Sequence, residues 1–243
     1  MNSNREKIMT TGMPNLAGYK FIVVLSMMYM SIMLCNAILT NRYIGTDSLF
    51  FLGGTLTSPF IFILDDIIAE IYGYRIARTI IISGFVAQTI FIVICQMVIN
   101  APHPSFFKES VIYAHVLGPE LMKINMGGFL AYITANLINS FIITRWKVLV
   151  KGKYFWLRSI GSSSFSEALY SLLAILMMEL NSIPLSDIFH VVIISFLVKL
   201  TYSIIFSYPA NILVDYIKLK TGIDVYDFKK DFTPFKYLSL KRS

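Results

Sequence analysis

Three acidic side chains, Asp65, Asp66 and Glu70, stand inside one apolar stretch, residues 58–72, which reads SPFIFILDDIIAEIY. Charged groups within a membrane segment are expensive and mark function by default. Asp66 and Glu70 are four residues apart and share a helix face, whereas Asp65 points about 100° away. Carboxylates at that spacing repel one another, so they need a proton, a cation or a set of hydrogen-bond donors. That is the chemistry of a binding or ion-carrying site. Glu70 also has a plainer role open to it, as an anchor paired with Arg75 or Arg78 just beyond the run.

Other polar groups fall where apolar ones are expected. Lys199 is a cation inside the last apolar run and the natural partner for those acids. Asn36 lies late in the first run. Asn136, Asn139 and Ser140 form one stripe at i, i+3, i+4 of the fourth. The fifth opens with Ser162, Ser163, Ser164, Ser166 and Glu167, followed one turn on by Tyr170 and Ser171. Any one of these can serve as interhelical glue. Together they predict a central cavity of mixed donors and acceptors, with Phe60, Phe62 and Tyr202 as candidates to stack on a planar ligand. Glu179 and Asp187 read as solvated, and Asp215 as a partner of Lys218.

No catalytic constellation accompanies them. The nucleophile elbow, the zinc-binding helix, the P-loop and the dinucleotide turn are all missing. Two aspartates on one short helix are also the wrong arrangement for an intramembrane aspartyl protease, which needs them on separate spans. Cys35 and Cys95 sit in apolar runs as packing thiols, and His103 and His115 read as solvated loop residues. The expectation is a protein that is not an enzyme and holds no cofactor and no metal.

The elements that must position these residues follow from composition. The 243 residues are 56% hydrophobic and 14% charged, with a mean hydropathy of +0.67. A soluble domain carries about a quarter of its residues charged. Six apolar runs can be drawn, at 19–40, 58–72, 76–99, 121–143, 161–180 and 188–216. In hydrocarbon each must be a helix, because unpaired backbone groups cost several kcal/mol apiece. The fold class is therefore all-α: a polytopic membrane protein of six transmembrane helices in one domain, residues 1–243, with polar ends at 1–18 and 218–243.

Basic residues set the orientation. Arg5, Lys7, Lys20, Arg75, Arg78, Arg145, Lys147, Lys151, Lys153, Arg158 and seven more after the sixth run all fall in alternate connections. The opposite connections hold Arg42, Lys108 and Lys123. By the positive-inside rule both termini are cytoplasmic. The same asymmetry accounts for the net charge of +7, so no nucleic-acid partner is expected. Ser58-Pro59 reads as the start of the second helix, Gly73 as its C-cap, and residues 41–57 as an outside loop dipping to the membrane surface.

Residues 58–78, SPFIFILDDIIAEIYGYRIAR, resemble the signature of the queuosine-precursor transporter family, also called the vitamin uptake transporter family. Pro59, Asp66, Glu70, Gly73, Ala77 and Arg78 align with it. Asn36, Ala131-Tyr132, Trp156-Leu157-Arg158, Ser166-Glu167, Lys199 and Pro209 follow in order, so the likeness covers nearly the whole chain. Departures are Asp65 for a small residue, Glu167 for Gln, and Asn139 and Tyr170 for Asp.

The resemblance implies a transporter in the bacterial inner membrane that imports 7-deazaguanine precursors of queuosine, with a proton as a candidate driving ion. Its partners would be a purine-like small molecule and the lipid bilayer. A homo-oligomer is left open and an ATPase module is not required. The substrate set expected is Asn36, Phe60, Asp66, Glu70, Asn136, Asn139, Ser163, Glu167, Lys199 and Tyr202. The alternatives are the membrane subunit of an energy-coupling-factor vitamin transporter and an integral membrane enzyme acting on a lipid.

Overall fold

The computed structural model describes residues 16–40, 42–46, 49–179 and 184–227. These form α1 (Leu16–Leu39), a hairpin of β1 (Tyr43–Thr46) and β2 (Leu49–Leu52), α2 (Gly54–Tyr72), α3 (Tyr74–Ile99), α4 (Ser110–Leu117), α5 (Pro119–Leu149), α6 (Phe155–Glu179) and α7 (Leu185–Thr221). The described residues are all-α apart from that hairpin. The expectations for residues 1–15 and 228–243 lie outside the described residues.

Five helices, α1, α3, α5, α6 and α7, are long and apolar enough to cross a membrane. Their apolar side chains face outward: only 17% of the most apolar window of α3 is buried. Val86, Ile90, Ile94 and Met97 stand exposed along it. In water so large an apolar surface would drive association, whereas lipid is its natural solvent.

The α2 helix is the opposite case. It has 19 residues, and nearly all of them are buried, the three acids included. At 1.5 Å per residue it is about 28 Å long, close to the hydrocarbon thickness of about 30 Å. It touches α1, α3, α5, α6 and α7, and those five close a ring around it in the order α1–α3–α5–α6–α7–α1. The helix carrying the carboxylates is thus the axis of the bundle. Its carboxylates, not its length, separate it from the five apolar helices.

Helix limits differ from the apolar runs because helices continue past hydrocarbon into the polar boundary. The fourth run, 121–143, is the middle of α5 (Pro119–Leu149), which carries Arg145 and Lys147 on its last turns. The fifth, 161–180, falls in α6 as far as Glu179, where the helix ends, and α6 begins at Phe155 and so includes Trp156 and Arg158. The second helix begins at Gly54, not at Ser58, and Pro59 lies inside it. Pro59 removes only the backbone bond to Thr55, close to the helix start, where few such bonds exist to lose.

Residues 41–57 also correct the loop expectation. Tyr43 pairs with Leu52 and Thr46 with Leu49 in an antiparallel hairpin, with aromatic and β-branched side chains favouring the strand. Gly45 has φ +127, and a Cβ there would strike the Leu49 carbonyl. The hairpin leans on α7, and Leu52 joins a buried cluster with Ala131, Ile175, Ile188 and Val191. At the other end of α2, Gly73 has φ +84 and its N–H returns to the Ala69 carbonyl at 3.0 Å. That bend lets α3 start at Tyr74, and a Cβ there would run into Val225.

Candidate functional site

At the end where α2 stops, the fully buried Glu70 gathers bases from three helices. Arg158 Nη1 donates to its Oε2 at 2.7 Å and Lys218 Nζ to its Oε1 at 2.6 Å. Lys147 Nζ lies 3.7 Å from Oε1 and donates to the Glu70 carbonyl at 2.5 Å. Lys147 and Lys218 also share Asp224 Oδ1, at 2.5 and 2.9 Å.

Proximity in sequence pointed to Arg75 or Arg78 for Glu70, and that pairing does not form. The Gly73 bend turns α3 away, leaving Arg75 exposed and Arg78 5.9 Å over the Tyr74 ring. Asp215 likewise does not take Lys218. It accepts from Asn211 at 3.0 Å.

Residues 222–227 fold back over this end. Val225 N–H donates to the Ile71 carbonyl at 3.1 Å, and Lys147 donates to the Val225 carbonyl at 2.7 Å. Asp227 Oδ2 accepts the Tyr74 N–H at 2.8 Å, and the Tyr226 ring lies 4.5 Å under Lys147 Nζ. Burial alone would push the Asp224 carboxyl up, but hydrogen bonds and charge from Lys147 and Lys218 hold it below the ordinary aspartate value. Burial pushes the Tyr226 hydroxyl up.

One turn earlier the surroundings change. Asp66 Oδ2 accepts from Ser159 and, at 3.0 Å, from Ser163, while Oδ1 accepts from Asn139 Nδ2 at 2.6 Å. Asp65 Oδ2 accepts from Ser140 at 2.7 Å and distantly from Asn139 at 3.5 Å. All these donors are neutral. Among the described residues no basic side chain lies within 4 Å of either carboxylate. Lys199 is engaged elsewhere, donating to Ser171 Oγ at 2.9 Å.

The open space lies around the first half of α2, nearer the hairpin. A small cleft, part of it open to solvent, is walled by Asn36, Phe85, Gln88, Asn125, Tyr132 and Tyr170. A second, smaller one is walled by Thr55, Ser171 and Lys199. The two share Asn36, Thr40 and Tyr170. Asn36 Oδ1 accepts from Thr57 at 2.7 Å, and Gln88 Nε2 donates to Asn125 Oδ1 at 3.0 Å. Lys199 Nζ sits 4.6 Å over the Tyr170 ring and attracts Glu167. Ser203 donates to Glu167 Oε1 at 3.0 Å, while the buried Oε2 has no protein partner.

A family model described as "Putative vitamin uptake transporter" matches residues 52–214, from the last residue of β2 to the final turns of α7. The chain belongs to the vitamin uptake transporter family. No curated protein and no solved structure matches it. Family membership and the five apolar helices make this vitamin uptake transporter a multi-pass membrane protein.

In this member of the family the expected residues fall into separate groups. Asn36 and Lys199 wall the cleft, with Glu167 one turn from Ser171 on α6. Asp66, Asn139 and Ser163 form the neutral-donor network. Glu70 lies in the charge cluster. Asn136 donates to the Tyr132 carbonyl at 2.9 Å and leaves its own oxygen unpaired. Phe60 and Tyr202 pack edge to face at 5.8 Å, and Phe206 covers both rings.

Sequence reasoning missed Gln88 and Asn125, although amides within apolar runs were a signal available to find them. It did not connect Lys147, Arg158 or Lys218 with Glu70: Lys147 reads as an orientation charge, Arg158 as that and part of the Trp156-Leu157-Arg158 match, and Lys218 as a partner of Asp215. Among the described residues no cluster of His, Cys, Asp or Glu is arranged to hold a metal ion.

Proposed function

We propose that this transporter imports 7-deazaguanine precursors of queuosine across a bacterial inner membrane, with a proton as the driving ion. The observation that carries the reading is the cleft, where the amide side chains of Asn36, Gln88 and Asn125 face the aromatic rings of Phe85, Tyr132 and Tyr170. A deazaguanine is flat and presents a lactam carbonyl and N–H beside an exocyclic NH₂. Amides can read both the carbonyl and the N–H, and a carboxylate accepts adjacent N–H groups in pairs. Glu167, one turn from the cleft residue Ser171 and with one buried oxygen unpartnered, is suited to that acceptor role, and Ser203 holds its other oxygen at 3.0 Å.

On this reading the chain crosses the membrane six times, α2 included, and both termini are cytoplasmic. Lys20, Arg75, Arg78, Lys147, Arg158 and Lys218 gather at the Glu70 end, which the positive-inside rule assigns to the cytoplasm. The cleft then opens toward the outside and the cytoplasmic end is closed.

The test is complementation. A bacterium unable to take up queuosine precursors is given this gene and each candidate base, and queuosine in transfer RNA is measured. Rescue by at least one base supports the reading, and no rescue by any of them removes it. Uptake by the purified chain alone in liposomes excludes the energy-coupling-factor alternative, which needs an ATPase.

A further inference from the structure

Asp65 and Asp66 do not line the cleft, yet they place two carboxylates, without a counter-cation among the described residues, at the axis of a membrane bundle. We propose that this pair is the transporter's proton carrier. It holds one proton on Asp65 or Asp66, within the network of Asn139, Ser140, Ser159 and Ser163. The coupling role rests on the importer reading; the proton site itself does not.

Moving one carboxylate from water into a low-dielectric interior costs on the order of 20 kcal/mol in the Born limit, and still several after relaxation. Glu70 meets that cost with Arg158, Lys218 and Lys147. The Asp65–Asp66 pair has Asn139, Ser140, Ser159 and Ser163, which carry no charge. A single proton removes one of the two charges and the repulsion between them.

Asn139 supplies a second, independent observation. Its NH₂ reaches both carboxylates, while its buried Oδ1 has no partner. A quarter-to-half turn of the same amide would offer that oxygen to a carboxylic O–H, so the side chain can serve either protonation state.

The titratable groups set toward Asp65 are Tyr29 of α1, Tyr74 of α3 and Tyr132 of α5. The charged groups nearby on α3, α5, α6 and α7 are Arg78, Lys147, Arg158, Lys218 and Lys199. Arg78 lies over Tyr74, Lys199 is engaged by Ser171, and the other three are engaged by Glu70 or Asp224.

Tyr132 walls the cleft, and its hydroxyl pairs with that of Tyr29 and donates to Met33 Sδ at 3.2 Å. The step balances simply: an O–H bond forms on an aspartate oxygen as one breaks on hydronium in the cleft, and no electron is transferred.

Infrared spectra of the full chain in lipid vesicles read the carbonyl stretch of a protonated carboxyl directly. The wild type is expected to show that band at neutral pH. Asp65→Asn/Asp66→Asn should lose it and Glu167→Gln should keep it, each variant eluting as a monodisperse peak. No protonated carboxyl from acidic to alkaline buffer, or a band that survives the double substitution, overturns the proposal.

The second arm uses 7-cyano-7-deazaguanine as the probe. One proton per solute gives roughly tenfold accumulation for each pH unit of inward gradient. The double variant should reach equilibration and no more, and accumulation equal to wild type overturns the proposal. Wild-type vesicles that take up no probe would sink the importer reading, while the infrared band would still decide the proton site.

Discussion

Asp66 and Glu70 lie one helical turn apart on α2, both fully buried, in opposite electrostatic surroundings. Glu70 is clamped by three bases drawn from α5, α6 and α7. Asp66 receives three hydrogen bonds from neutral side chains and, among the described residues, meets no base. The same type of group is thus ion-paired in one place and held only by neutral donors in the other.

Glu70→Ala leaves Arg158 buried without its carboxylate, while Lys147 and Lys218 keep Asp224. Removing one partner of a buried ion pair costs about 3–5 kcal/mol. Thermal unfolding of the detergent-purified chain should show a loss of that size, and Glu70→Ala/Arg158→Ala should recover part of it. A single-variant loss of less than about 1 kcal/mol would mean the cluster behaves like a surface ion pair.

Asp224 gives the cytoplasmic cluster an acid limit. Its folded carboxyl is held below the ordinary value, so it favours the folded state at neutral pH. That contribution is complete above the unfolded value of about 3.9 and is lost as pH falls through the lower folded one. Asp224→Asn should therefore be less stable than wild type at neutral pH, with the two unfolding curves converging below about pH 3.9. Parallel curves down to strong acid would remove Asp224 from the cluster's energetics.

Asn125→Leu breaks the Gln88–Asn125 hydrogen bond and takes an amide out of the cleft. The loss of one or two polar contacts, each worth about 0.5–1.5 kcal/mol, should lower apparent affinity roughly tenfold. Membrane expression should stay normal, since Asn125 faces the cleft. Concentration-dependent uptake in liposomes checks this, and unaltered affinity would place the substrate elsewhere.

Gly54→Ala tests the cleft by volume. A Cβ at Gly54 would press on the side-chain oxygens of Thr40 and Asn36, both of which wall the cleft. Gly54 is the first residue of α2, so helix propensity gains little there, and the buried Thr40 hydroxyl must give way. Uptake should fall in protein that still elutes as a monodisperse peak, and uptake at the wild-type level would show that this end of the cleft is not on the solute's route.

The sequence made the bundle legible through composition, and the importance of α2 through three acids that no lipid-facing helix would carry. The charge asymmetry marked which connections share an end, and Lys147, Arg158 and Lys218 do meet there. Their pairing with Glu70 was not legible, because it joins residues 77 to 148 positions apart and each base already had a sufficient explanation as a loop charge. The hairpin was hidden by its brevity, with strands of four residues each. The cleft walls were hidden because Gln88 and Asn125 sit alone in their runs, and only the packing of α3 against α5 brings them together.

Residues 222–227 do more than finish the last helix. They are stitched to Ile71, Tyr74 and Lys147, across the bend that joins α2 to α3. A solute leaving at that end must first unfasten six residues of the chain's own tail. Shortening the polypeptide at Thr221 therefore removes a latch, and the predicted result is a leakier passage, not merely a shorter protein.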